Sequence, residues 1–329
     1  MTSSTARPEF AILGAGAIGS ILGAHLARAG HSVVMLARGK RAEHIEREGI
    51  RIKGLVDFSV SVPTLTDPRQ FQGAQVLIVA MKTSGTDAAL QPLRDSNIDT
   101  AFSIQNGLWK NDQLVESFGA TRVLGSLANT SGELLPSGEV LFTRNVNVFV
   151  GELAGGDSDR ATAIASVIDA SGVRSTAVPD ILAREWTKFV GWVGLMSMSV
   201  ATRSATWKYL SDPDCAALLV RLVRETCALA KASGITLIEQ HALLPIQTIL
   251  NKSEAEAVAA VVRSGQEYKT IAPQHRMSTL QDLDAGRPLE IEETLGDAVR
   301  RAASLGLSLP LLETCYRLVA AIDRTARAS

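Results

Sequence analysis

The stretch REWTKFVGWVGLMSMSVATR, residues 184–203, is apolar and helical in character and carries one lysine, Lys188, among Trp186, Phe189, Val190, Trp192 and Val193. An ammonium group in that setting is costly, so it reaches water along its own stem, meets a partner, or does chemistry. A second set of residues with chemical spacing lies near the N-terminus. In EFAILGAGAIGSILGAHLARAGHSVVMLA, residues 9–37, Gly14, Gly16 and Gly19 follow the G-x-G-x-x-G spacing between a strand-like run and a helical one. The first such glycine permits a tight turn, the second lets backbone approach a pyrophosphate, and the third lets the helix sit close on the sheet. Phosphate then rests on the helix N-terminus, where free N–H groups favour an anion, so Gly14, Gly16, Ala17, Ile18 and Gly19 form the candidate cradle for a dinucleotide.

The next strand ends in LARGKRAEH. A site for NAD usually carries an acidic residue about 20 positions past the glycines, to take the ribose hydroxyls. None stands here. Arg38, with Lys40 and Arg41 close behind, offers cationic donors to a 2′-phosphate, which points to NADP(H); a solvated basic loop is the plainer alternative.

These residues need a scaffold. Strands are expected at 76–80, 100–104 and 122–127, which puts Lys82 just past one strand end and Asn106 just past the next. In a doubly wound sheet those carboxyl ends line the binding crevice, although Asn106–Gly107 is also an ordinary turn pair. GEVLFTRNVNVFVGE, residues 138–152, reads as an antiparallel hairpin closing the sheet, and residues 157–172 as a covering helix. From Ile181 the pattern turns helical: 181–203, then a helix capped by Asp212 with Pro213 in its first turn and running to Lys231, then 255–263, 292–304 and one starting at Pro310. The fold class expected is α/β, with a doubly wound N-terminal sheet in residues 1–178 and an all-helical C-terminal domain in residues 179–329.

Composition is consistent with this plan. The 329 residues suffice for two domains with real cores. With 46% hydrophobic and 20% charged residues the chain must bury large faces, which leaves room for a homodimer interface. A formal net charge of −1 speaks against nucleic acid as a partner. Cys215, Cys227 and Cys315 are widely spaced, so buried thiols are expected rather than a disulfide framework or a zinc site, and no metal is implied. No apolar run has the span of a membrane helix, and MTSSTARPEF lacks the layout of a secretory signal, so a cytoplasmic protein is expected.

Taken in order, GAGAIG at 14–19, Arg38, MK at 81–82, QNG at 105–107, REWTK at 184–188 and STLQDLDAGRPLEIE at 278–292 resemble the ketopantoate reductases, or 2-dehydropantoate 2-reductases, over nearly the whole chain. The resemblance implies a Rossmann-type domain followed by a helical one, with the active site in the cleft between them. It also implies NADPH-dependent reduction of the 2-keto group of ketopantoate to pantoate, in pantothenate synthesis. By the same resemblance Gly14, Gly16 and Gly19 match the phosphate loop, Arg38 the 2′-phosphate contact, and Lys82 and Asn106 residues near the nicotinamide half. Lys188 matches the catalytic lysine, Ser278 a serine that contacts the substrate carboxylate, and Glu290 a glutamate that binds the substrate hydroxyl.

A lysine in that role stabilises the oxyanion that forms as a ketone gains hydride, and delivers the proton. Burial in general lowers the pKa of a lysine, which makes it a better acid while it still holds its proton. The chain also departs from the family pattern. Asparagines that the family places one and two turns after the lysine are replaced by Trp192 and Met196. Such an exchange alters which 2-keto acid is accepted, so a paralogue acting on a bulkier or more apolar acid stands as the second reading. A third is a non-catalytic NADPH-binding sensor, against which the retention of Lys188 and Glu290 counts.

Overall fold

The computed structural model describes residues 7–238 and 244–327. Its strands are β1 (Phe10–Leu13), β2 (Val33–Leu36), β3 (Ile50–Gly54), β4 (Phe58–Val60), β5 (Thr64–Leu65), β6 (Gly73–Val79), β7 (Asn97–Ser103), β8 (Leu124–Leu134), β9 (Val140–Glu152) and β10 (Ser175–Ala177). A parallel sheet has the order β5-β2-β1-β6-β7. Strands covered on both faces read as unbroken apolar runs, as FAIL and VVML do. Alternate residues then divide between two cores: Phe10, Ile12, Val33, Met35, Val76 and Ile78 enter one cluster, and Ala11, Leu13, Val34, Leu36, Leu77 and Val79 the other. Strands are added to one side of β1 and then, from β6, to the other. That reversal opens a crevice at the carboxyl ends of β1 and β6.

The hairpin reading needs a correction. Strands β8 and β9 do pair antiparallel, but they do not close the first sheet. Instead β9 lies parallel to β3 and β10 in a second sheet of order β10-β9-β3-β4, and Val123, just before β8, forms an isolated bridge with Ala101 of the first sheet. Register shifts at Ala128/Thr130 and Ser131/Gly132 interrupt the hairpin ladder, as bulges do. Val140, Phe142, Val148 and Val150 of β9 bury in the same cluster as Ile21 and Leu22 of the first helix.

The helices of this part are α1 (Ala17–Arg28), α2 (Gly39–Glu48), α3 (Thr86–Leu90), α4 (Trp109–Phe118) and α5 (Asp159–Ala170). They are followed by α6 (Ile181–Thr202), α7 (Thr206–Ser211), α8 (Pro213–Ala232), α9 (Ile246–Asn251), α10 (Glu254–Ile271), α11 (Ser278–Asp284), a π turn at Glu292–Gly296, α12 (Asp297–Ser304) and α13 (Pro310–Arg327). The chain divides into two compact units, Met1–Leu182 and Ala183–Ser329.

Caps account for the starts of α8, α10 and α13 in the second unit. The Asp212 carboxylate accepts the Cys215 N–H at 2.9 Å, one bond for a first turn that has none of its own. Ser253 and Glu256 form a capping box, and the helix it opens runs well beyond 263. Helix α13 is capped by another helix: Glu225 accepts the N–H groups of Leu311 and Leu312 at 3.2 and 2.8 Å. The expected helix 292–304 is interrupted. Its first turn is wide, with the Gly296 N–H reaching the Ile291 carbonyl at 2.9 Å, and π turns of this kind gather at functional sites.

Cys227 and Cys315 are buried, and desolvation pushes their thiols up to about 12 and about 11. Among the described residues no group of side chains is suited to hold a metal, and no helix is long and apolar enough to cross a membrane.

Candidate active site

Between β1 and α1 the chain turns sharply. Gly14 donates its N–H to the Leu36 carbonyl at 3.0 Å and has φ +106°, and a Cβ there would fall 2.6 Å from the Met81 nitrogen. A Cβ on Gly19 would fall 2.1 Å from the Gly14 carbonyl oxygen, so this glycine lets α1 close against its own loop. Gly16 differs. It is exposed, and the nearest atom to a Cβ there is the Ala80 oxygen at 4.0 Å. Open space beside bare backbone is what a pyrophosphate needs. The first turn of α1 holds no acidic residue and no side chain caps it, so the N–H groups of Ala17 and Ile18, which lack acceptors within the helix, suit an anion. The contrast between the glycines can be measured. Gly19→Ala is expected to cost about 1–3 kcal/mol in denaturant unfolding, whereas Gly16→Ala should stay within about 0.5 kcal/mol.

Of the three basic residues after β2, only two remain open to a ligand's phosphate. Arg38 precedes α2 and is exposed, as is Lys40. Arg41 is half-buried and bonded inward: its Nε donates to the Ala15 carbonyl at 3.0 Å, one terminal nitrogen to the Gly138 carbonyl at 2.7 Å, and the other to Ser20 Oγ at 2.9 Å. Desolvation draws its pKa below the ordinary arginine value. The expectation that Arg41 backs up Arg38 at a 2′-phosphate is therefore corrected; its donors serve the glycine loop.

The ends of β6 and β7 lie along the same edge. Lys82 is exposed beyond β6, and Asn106 is half-buried beyond β7. Gln105 joins the two turns, its amide donating to the Lys82 carbonyl at 3.2 Å and to Thr86 Oγ1 at 2.8 Å, while its oxygen accepts from Ser103 Oγ at 2.8 Å. Sequence reasoning passed over Gln105, although its place beside Asn106 was a signal. It also passed over Lys110 of α4, which is 4% exposed and donates to the carbonyls of Ser103, at 3.0 Å, and Ser126. Those acceptors let the ammonium group stay buried, and nothing near it in sequence announces them.

In the second unit Lys188 is half-buried on α6. Beside it Trp186 meets Phe189 edge-on at 6.3 Å, and Phe189 stacks on Trp192 at 6.4 Å with the rings 24° apart. Trp192 and Met196 follow Lys188 at one and two turns and so share its stripe of the helix. The indole is half-buried, whereas Met196 is 1% exposed. Ser278, exposed, opens α11; Glu290, half-buried, stands just before the π turn, where the Thr294 hydroxyl donates to its carbonyl. Inside that turn is a residue that the sequence reading did not single out. Glu293 is half-buried, and desolvation first, then the nearby Glu290 and Glu292, hold its carboxyl above the usual carboxylate range. The acidic run EIEE was its only signal.

Comparison with known proteins bears on the family and the fold. Residues 10–155 match the family model described as Ketopantoate reductase PanE/ApbA, and residues 180–323 match that of its C terminal part. A 2-dehydropantoate 2-reductase of Archaeoglobus fulgidus is 25% identical over 312 residues, spanning 95% of this chain and 97% of the relative. The crystal structure of 2-dehydropantoate 2-reductase from Methylococcus capsulatus superposes with a TM-score of 0.80 at 25% identity, covering 97% of this chain and 98% of that one. D-mandelate dehydrogenase, solved with NADH and anilino(oxo)acetate, reaches a TM-score of 0.81 over 96% of this chain and 99% of its own at 17% identity, which is a likeness of fold alone. With two family models spanning both units, the chain belongs to the ketopantoate reductase PanE/ApbA family, pyridine-nucleotide-dependent oxidoreductases that act on CH–OH groups.

Proposed function

We propose that this oxidoreductase uses NADPH to reduce the keto group of a 2-keto acid, with 2-dehydropantoate as the first candidate and Lys188 as the proton donor. The observation that carries this reading is the placement of Lys188, half-buried on α6 and one turn before Trp192, where an ammonium group can donate to an oxyanion as it forms. Residues 1–178 hold the cofactor in this reading and residues 179–329 the substrate.

The glycine turn at Gly14, Gly16 and Gly19, with the N–H groups of Ala17 and Ile18, takes the pyrophosphate, and Arg38 takes the 2′-phosphate. Lys82 and Asn106 orient the nicotinamide half. The reduced nicotinamide, when bound, supplies hydride to the keto carbon. As the carbonyl oxygen gains charge, Lys188 stabilises it and gives up a proton, leaving a neutral amine that solvent reprotonates. Ser278 donates to the substrate carboxylate, and Glu290 accepts from a substrate hydroxyl.

A second reading concerns the acid alone. Trp192 shares the Lys188 stripe and carries a bulky indole with a single N–H donor and no acceptor, which favours a larger or more apolar side chain on the substrate. Both readings meet in one assay: NADPH oxidation, followed by absorbance, with ketopantoate beside a panel of bulkier 2-keto acids. Rapid turnover of ketopantoate supports the first reading, preference for the bulkier acids supports the second, and inactivity with all of them overturns both. Trp192→Asn is expected to move the ratio of kcat/KM values toward ketopantoate by about 10- to 100-fold.

A further inference from the structure

The Arg41 side chain bonds the glycine turn, α1 and the β8–β9 hairpin at once. Its Nε reaches the Ala15 carbonyl at 3.0 Å, inside the turn between Gly14 and Gly16. One terminal nitrogen reaches Ser20 Oγ at 2.9 Å, and Ser20 Oγ itself donates to the same Ala15 carbonyl at 3.1 Å. The other reaches the Gly138 carbonyl at 2.7 Å. Gly138 belongs to a turn closed by two backbone bonds, Gly138 N–H to Leu135 and Leu135 N–H to Glu139, both 2.9 Å. Its position is thus set independently of the glycine loop.

We infer that Arg41 is a positioning residue for the dinucleotide: by holding the Ala15 carbonyl it fixes the direction of the Gly16 N–H and keeps the phosphate cradle formed before a cofactor arrives. The inference rests on the cofactor site proposed above. The peptide unit gives the reason. A trans amide is planar, and its C=O and N–H point in opposite directions, so a carbonyl bound on one side commits the next residue's N–H to the other. The Ala15 carbonyl is held by Arg41 and Ser20, and the N–H that it commits is that of Gly16, whose backbone faces open space. Without the guanidinium only the Ser20 hydroxyl still holds that carbonyl, and restricting the loosened peptide again costs binding free energy.

The acceptors add a second effect. Two carbonyls and a hydroxyl accept from Arg41, one at each nitrogen, without neutralising its charge, so a positive potential remains beneath the turn. Both effects act on the pyrophosphate, which NADPH and NADH share. This separates Arg41 from Arg38, whose exposed guanidinium is assigned to the 2′-phosphate that NADPH alone carries.

Titration of the full-length protein with NADPH and with NADH, read by tryptophan fluorescence and with no substrate present, tests the inference. Arg41→Ala should raise both Kd values in parallel, roughly tenfold each. Arg41→Lys, which keeps a charge but loses the planar fork, should show a smaller parallel rise. If Arg41→Ala does not fold, the lysine variant alone decides. A rise confined to NADPH would overturn the inference and give Arg41 to the 2′-phosphate; unchanged Kd values with a lowered Tm would overturn it in favour of a purely structural bond. Failure of the unaltered protein to bind either nucleotide would instead sink the cofactor site itself.

Discussion

Lys188→Ala is expected to lower kcat for 2-keto acid reduction by about 10²- to 10⁴-fold, the range lost when a positioned general acid is removed. The Kd for NADPH should stay within about twofold, because the residues assigned to the cofactor lie on other elements. Single-turnover measurement with bound NADPH separates the two quantities. Lys188→Arg sharpens the test: it keeps a positive charge on the same helix face but holds its proton at any working pH. A large recovery with arginine would show that charge alone is required and that Lys188 is not the acid. Equal losses of turnover and of cofactor affinity in the alanine variant would remove the residue from the chemistry altogether.

Arg38→Ala carries the second large effect. A guanidinium meeting a phosphate forms charge-assisted hydrogen bonds, and losing them should raise the Kd for NADPH by about 10- to 100-fold. NADH has nothing at that position to lose, so its Kd should change by no more than about twofold. Preference for NADPH over NADH should also fall in the unaltered protein as salt rises, because Arg38 is exposed and its field is screened. Equal weakening of both cofactors would assign Arg38 to the loop rather than to the 2′-phosphate.

The parts of the fold written in local pattern were legible in the sequence. FAIL and VVML are continuous apolar runs because both faces of the parallel sheet are covered, and the glycine spacing follows from contacts only a few residues away. Asp212 and Pro213 announce α8, since a cap needs no more than its own first turn. The second sheet was hidden for the opposite reason. Ile50–Gly54 reads IRIKG, a short half-polar strand, and its partner Val140–Phe142 lies far along the chain. Arg41 shows the same limit at the scale of one side chain. It stands three residues from Arg38 and looks like its companion, but the acceptors that claim it lie 21, 26 and 97 positions away. Glu293 became notable only through the π turn that buries it, a widening that helical periodicity does not encode.

The pairing of β3 with β9 also bears on how the protein is made. Ile52 lies opposite Val140, and Ser175 opposite Val148, so the first unit cannot complete its sheets until residue 177 has left the ribosome. At ordinary rates of synthesis β3 waits on the order of ten seconds for β9 after it is made. During that interval Ile52, fully buried in the finished molecule, lacks its neighbour Val140. Such delayed, long-range pairing slows folding and leaves strand edges open to other nascent chains. An open β3 edge is thus a feature of the first unit's synthesis, and a chaperone that covers it during that interval would favour correct pairing.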